Sequence, residues 1–215
     1  MRNQLSIVVG IICLIFFGAT VSVSAPDDDY NFIEVTLKKG ATSADGAYFE
    51  GSSDHAIIMV PGAKFNKDSW YFLAKRFQAV GIASLAIDSG SFLDEAINFV
   101  QKKGAQQISV IGASAGGEAV INAINSSAKN VFTKMVALAP YDGKPIKEGK
   151  LQKLFIIGKK DFVVDYYDID YLHKKSSEPK QIQVYKKSSA HAQELFETDL
   201  RDELINLIID FVSKN

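Results

Sequence analysis

The sequence predicts an α/β fold, a mostly parallel central sheet with helices on both faces. Three observations predict it. Short runs of β-branched and apolar residues alternate with amphipathic helical segments along the chain. Several of these runs are apolar without a break, as strands covered on both faces must be. Most runs stop at Pro, Gly or a single Asp, the residues that turn a chain out of a strand.

Phe32-Ile33-Glu34-Val35-Thr36-Leu37 alternates with period two, the pattern of a half-buried strand, and residues 47–50 pair with it as a second edge strand. Residues 56–60, Ala-Ile-Ile-Met-Val, form a fully buried strand stopped by Pro61-Gly62. A helix follows, with Asp68 as N-cap, Trp70, Leu73, Phe77 and Val80 on one face, and Gly81 as its stop. Residues 82–87 are a strand ending at Asp88, and residues 93–103 a helix stopped by Gly104. Residues 108–111 are a strand that runs through a glycine-rich turn into a helix over about residues 115–125. Strands at 135–139 and 154–157 follow, then a helix over about 165–175 and a strand at 181–185. The last helix carries Leu200, Leu204, Leu207, Ile208 and Phe211 as one apolar stripe.

The 215 residues are 47% apolar and 23% charged, with a formal net charge of −1. That composition is globular and of a length for one or two domains. The near-neutral balance provides no basic face, so a nucleic-acid partner is not expected. Cys13 is the only cysteine, which excludes a disulfide framework and a cysteine-held zinc. No metal-binding or nucleotide-binding motif is present, so no metal and no cofactor is expected.

Ahead of the domain, Arg2 precedes an apolar stretch from Leu5 to Val23, followed by small residues at Ser22, Ser24 and Ala25. This is the layout of a signal peptide with cleavage near Ser24 or Ala25. The competing reading is an uncleaved membrane anchor, since nineteen residues reach roughly 28 Å as a helix. The division is therefore residues 1–25 as signal peptide or anchor and residues 26–215 as the domain. Export to the periplasm or the exterior is expected, with a membrane partner only if the segment stays attached.

Gly112-Ala113-Ser114-Ala115-Gly116 is a G-x-S-x-G pentapeptide set between a strand and a helix. In that setting the serine sits on a sharp turn that lifts its hydroxyl out of the sheet, and the flanking glycines let strand and helix approach. A serine nucleophile needs a base and a group to orient the base. The chain order for this turn is Ser, then Asp or Glu, then His. Asp161 follows the next-to-last strand and His191 the last, both at the sheet edge where open α/β folds place their sites. Asp142 and Asp165 are the substitutes for Asp161. His173 looks surface-facing in its helix, and His55 begins a strand, at the wrong edge. An oxyanion needs two backbone N–H donors, expected from Ala115 and from Ala63 in the turn Pro61-Gly62-Ala63-Lys64. Phe65, Trp70 and Tyr141 are candidate pocket walls, with a core or rim role as the alternative for each.

These residues resemble the α/β-hydrolase superfamily over nearly all of residues 32–214. The resemblance rests on Val60-Pro61-Gly62-Ala63 with Asp68-Ser69-Trp70, on Ala86-Ile87-Asp88, on Gly112 to Gly117, on Gly158 to Asp161 and on Ala190-His191. It looks most like small, lidless bacterial esterase-like and dienelactone-hydrolase-like members. The family often has His-Gly at the oxyanion turn, where this chain has Pro61-Gly62, and dienelactone-hydrolase-like members often carry cysteine where this chain has Ser114. The resemblance implies an α/β-hydrolase fold. Residues 140–153 are too few for the helical lid that usually enters there, so no cap domain and an open, shallow site are expected. The expected function is a serine hydrolase of small carboxylic esters acting through an acyl-enzyme. The alternatives are an amidase or peptidase with the same triad, and a catalytically silent binding protein on the same fold.

Overall fold

The computed structural model describes residues 30–126 and 130–214. The expected signal peptide or anchor lies outside these residues. Eight strands form one sheet: β1 (Ile33–Lys39), β2 (Thr42–Phe49), β3 (His55–Val60), β4 (Ala83–Ile87), β5 (Gln107–Ala113), β6 (Lys134–Leu138), β7 (Gln152–Gly158) and β8 (Lys180–Tyr185). Their spatial order is β1-β2-β4-β3-β5-β6-β7-β8. From β4 to β8 every neighbouring pair is parallel, while β2 runs antiparallel to both β1 and β4.

The residue 47–50 segment was expected at the sheet edge, and the structure corrects this. Strand β2 begins at Thr42 and lies between β1 and β4, leaving β1 at the edge. Its first half is largely exposed and its second half fully buried, so only the second half announces a strand.

Among the described residues, five α-helices cover the sheet: α1 (Tyr71–Ala79), α2 (Leu93–Lys102), α3 (Ala115–Ser126), α4 (Tyr166–Lys175) and α5 (Arg201–Ser213). Every residue of β3, β4 and β6 is buried, which requires cover on both faces. A 3₁₀ turn, Lys67–Trp70, precedes α1, and its cap is Asn66 rather than Asp68: the Asn66 side chain accepts from the Asp68 N–H. Helix α1 stops at Ala79, so Val80 leaves the expected apolar face and is 52% exposed.

Two buried lysines are satisfied by backbone. Lys134 Nζ donates to the carbonyls of Phe211, Val212 and Lys214, capping the carbonyl end of α5. Lys153 Nζ donates to the carbonyls of Glu148 and Leu151. Burial lowers the pKa of both.

Parallel strands bring their carboxyl ends to one edge. The turn after β3, Ser114 after β5, the segment after β6, Asp161 after β7 and the loop carrying His191 after β8 therefore gather there. Between β6 and β7 the described chain holds no helix. Among the described residues, no helix is long and apolar enough to cross a membrane.

Candidate active site

Ser114 is held by its own backbone before its side chain is considered. Its N–H donates to the Leu138 carbonyl at 2.9 Å, and its carbonyl accepts from Glu118 and Tyr141, each at 3.0 Å. Those bonds keep Ser114 at φ +50°, in the left-handed region a serine rarely occupies. The neighbours must be small. A Cβ on Gly112 would lie 2.6 Å from the Gly116 carbonyl oxygen, and one on Gly116 would lie 2.5 Å from the carbonyl oxygens of Pro61 and Val60. Backbone fills both places, so the pentapeptide spacing is a packing requirement.

The side chains of Ser114, His191 and Asp161 meet in a line. His191 Nε2 lies 2.8 Å from Ser114 Oγ, and His191 Nδ1 lies 2.8 Å from Asp161 Oδ2. The Asp161 side chain is wholly buried, and its other oxygen accepts the N–H groups of Val163 and Val164 at 2.9 and 3.0 Å. A carboxylate only accepts, so Nδ1 donates to it and Nε2 is left to accept from the serine hydroxyl. His191 itself precedes a 3₁₀ turn, Ala192–Glu197, where the Glu194 side chain accepts the His191 N–H at 3.2 Å.

The substitutes for Asp161 are engaged elsewhere. Asp142 accepts the Gly143 N–H at 2.6 Å, and Asp165 caps α4 by accepting the Tyr167 N–H at 2.9 Å. The other histidines also lie outside this line. His55, at the start of β3, is buried with Nε2 2.8 Å from Ser109 Oγ. His173 is half-buried on α4, edge-on to Phe155, rather than surface-facing. Burial lowers the pKa of both rings.

Ser114 and His191 open into a cleft of about 280 Å³ whose walls include Ala63, Phe65, Ala115, Tyr141 and Val163. Phe65 and Tyr141 are among the residues that line it. Trp70 does not: it is fully buried and packs edge-on against Phe196. Its large apolar ring is taken into the core. Val163 was missed, because the short run Phe162-Val163-Val164 carries no pattern that separates a cleft wall from a loop residue.

The turn after β3 sorts its donors. The Gly62 N–H is taken by Gln193 Oε1 at 2.7 Å. Among the described residues, the N–H groups of Ala63 and Ala115 have no protein acceptor, and both residues line the cleft beside Ser114. Ala115 is the first residue of α3, where N–H groups lack helical partners and the helix dipole favours negative charge. The far end of the turn is tied to the sheet by the Lys67 N–H, which donates to Asp88 at 2.7 Å. Among the described residues, no group of three or more His, Cys, Asp or Glu side chains is placed to hold a metal ion.

The sequence matches no protein-family model and no curated protein. Solved structures do match. An esterase from Pyrococcus furiosus aligns at a TM-score of 0.71 and 15% identity, over 90% of this chain and 95% of that one. An esterase from Exiguobacterium antarcticum aligns at 0.66 and 12%, over 85% and 100%. The α/β hydrolase GrgF from a Penicillium species aligns at 0.71 and 14%, over 84% and 97%. Likeness at these identities speaks to the fold.

Proposed function

We propose that this chain, which has the α/β-hydrolase fold, is a serine hydrolase that cleaves carboxylic esters. The observation that carries the reading is the Ser114–His191–Asp161 line, two contacts of 2.8 Å each, at the mouth of a mostly apolar cleft. Ser114 Oγ attacks the ester carbonyl while His191 Nε2 takes its proton. Asp161 orients the imidazole and stabilises its charged form. The oxyanion settles against the N–H groups of Ala63 and Ala115. His191 then returns the proton to the leaving alcohol, and a water activated by the same imidazole releases the acyl group.

The cleft favours small esters. At about 280 Å³ it lies at the small end of ligand clefts and suits a short acyl chain. Residues 139–151, between β6 and β7, add no helix over it. Aryl esters of increasing acyl length test this: turnover is expected to be highest for short chains, to fall with length, and to show no jump when the ester is emulsified. An aryl amide of the same acyl group is expected to turn over more slowly. Strong activation by emulsified long-chain esters would overturn the open-site reading, and preference for the amide would overturn the ester assignment.

We propose further that the protein is exported. The support is the charge, apolar run and small-residue end of residues 1–25. N-terminal sequencing of exported protein is expected to begin near Ala25 or Pro26. An intact Met1 on cytoplasmic protein would contradict it.

A further inference from the structure

The oxyanion turn has an anchor outside itself. Pro61 has no N–H, and neither Pro61 nor Gly62 has a polar side chain with which to brace the turn. The Ala63 N–H can nonetheless serve an oxyanion only if the turn holds it in one place. Gln193, 4% exposed, reaches the turn from the loop after β8. Its Oε1 accepts the Gly62 N–H at 2.7 Å, and its Nε2 donates to Ser69 Oγ at 2.7 Å. Ser69 Oγ in turn donates to the Asn66 carbonyl at 2.6 Å. One buried amide therefore ties Gly62, in the turn, to Ser69 in the 3₁₀ turn that follows it.

The same short segment carries the base. Gln193 lies two residues after His191, and Ala192 between them sits at φ +47°. That bend allows His191 to face Ser114 while Gln193 faces Gly62. A second, exposed link joins the same two loops: Lys64 Nζ lies 3.8 Å from Glu194, with the lysine side chain 80% exposed. An exposed pair of this kind contributes little, so the buried amide is the functional tie.

Resting on the serine-hydrolase reading above, we infer that Gln193 is a positioning residue. It sets the Ala63 N–H donor by holding Gly62, and so couples the oxyanion turn to the loop that presents His191. It acts through Gly62, and its expected effect is on the transition state rather than on substrate binding.

The test measures wild type first, for aryl-ester turnover and for labelling by a serine-directed phosphonate. Absence of both removes the hydrolase reading on which the inference rests. With wild type active, Gln193→Met keeps the length and loses both hydrogen bonds. The expected result is kcat lower by about 10- to 100-fold, with KM within about twofold. Labelling by the phosphonate, whose tetrahedral adduct uses the same donors, is expected to slow in parallel. Gln193→Glu can still accept from Gly62 and from a rotated Ser69 hydroxyl, and is expected to recover part of kcat. A merely structural role would lower the amount of folded protein and leave kcat per folded molecule unchanged. Unchanged kcat in Gln193→Met, or a loss confined to KM, would overturn the inference. Should Gln193→Met not fold, Ser69→Ala decides: kcat reduced severalfold at constant KM supports the tie, and wild-type kcat overturns it.

Discussion

Ser114→Ala is expected to lower ester turnover by a factor on the order of 10⁶ while the protein stays folded. The loss follows from geometry. Ser114 Oγ is the hydroxyl that His191 Nε2 faces at 2.8 Å, so no other group in the line can form the acyl-enzyme. Under the proposed mechanism, what survives is the oxyanion turn and the cleft, which bind but do not attack. The fold survives because the turn is held by backbone bonds to Leu138, Glu118 and Tyr141 that alanine keeps. Strain makes a further distinction. At φ +50° any Cβ is costly, so Ser114→Gly is expected to be equally inactive but more stable than Ser114→Ala by about 1 kcal/mol. Aryl-ester turnover and thermal unfolding of the two variants check both statements. Wild-type turnover in Ser114→Ala would place the nucleophile elsewhere.

Asp161→Asn is expected to lower turnover by roughly 10⁴, the scale seen when the acid of such a triad is neutralised. The structure gives a specific reason. Asp161 Oδ1 accepts the N–H groups of Val163 and Val164, so an asparagine must place its carbonyl oxygen there. Its NH₂ then faces His191 Nδ1, which has to become the acceptor. The ring proton moves to Nε2, and Nε2 can no longer take the serine proton. Asp142→Asn and Asp165→Asn are expected to stay within about threefold of wild type, because those carboxylates serve the Gly143 N–H and the α4 cap. The three variants are compared by turnover of one short-chain aryl ester. A crippled Asp142 or Asp165 variant beside an active Asp161→Asn would reassign the acid.

The parts of this molecule legible in the sequence are those set by local pattern. The buried strands β3, β4 and β6 read as nearly unbroken apolar runs, interrupted by His55, Ser84 and Lys134, as strands covered on both faces do. Gly112 and Gly116 are legible because backbone occupies the space a side chain would need. Asp161 and His191 follow from their places just after strands whose carboxyl ends share an edge. Strand β2 was half legible, since the largely exposed residues 42–45 carry no clear apolar alternation. Trp70 stood open between core and cleft wall because a large ring suits both, and burial against Phe196 decided between them. Gln193 was invisible for a different reason. Its two partners, Gly62 and Ser69, lie 131 and 124 residues away in the chain, and a hydrogen bond across that distance leaves no periodicity.

In the proposed mechanism, His191 and Asp161 make Ser114 a nucleophile. Reaction of the wild-type protein with a fluorophosphonate, followed by intact mass and peptide mapping, measures this most directly. The account predicts one adduct per chain, on the peptide bearing Ser114, and no adduct in His191→Ala on the same time scale. An unmodified wild-type protein, or an adduct on another residue, would contradict it.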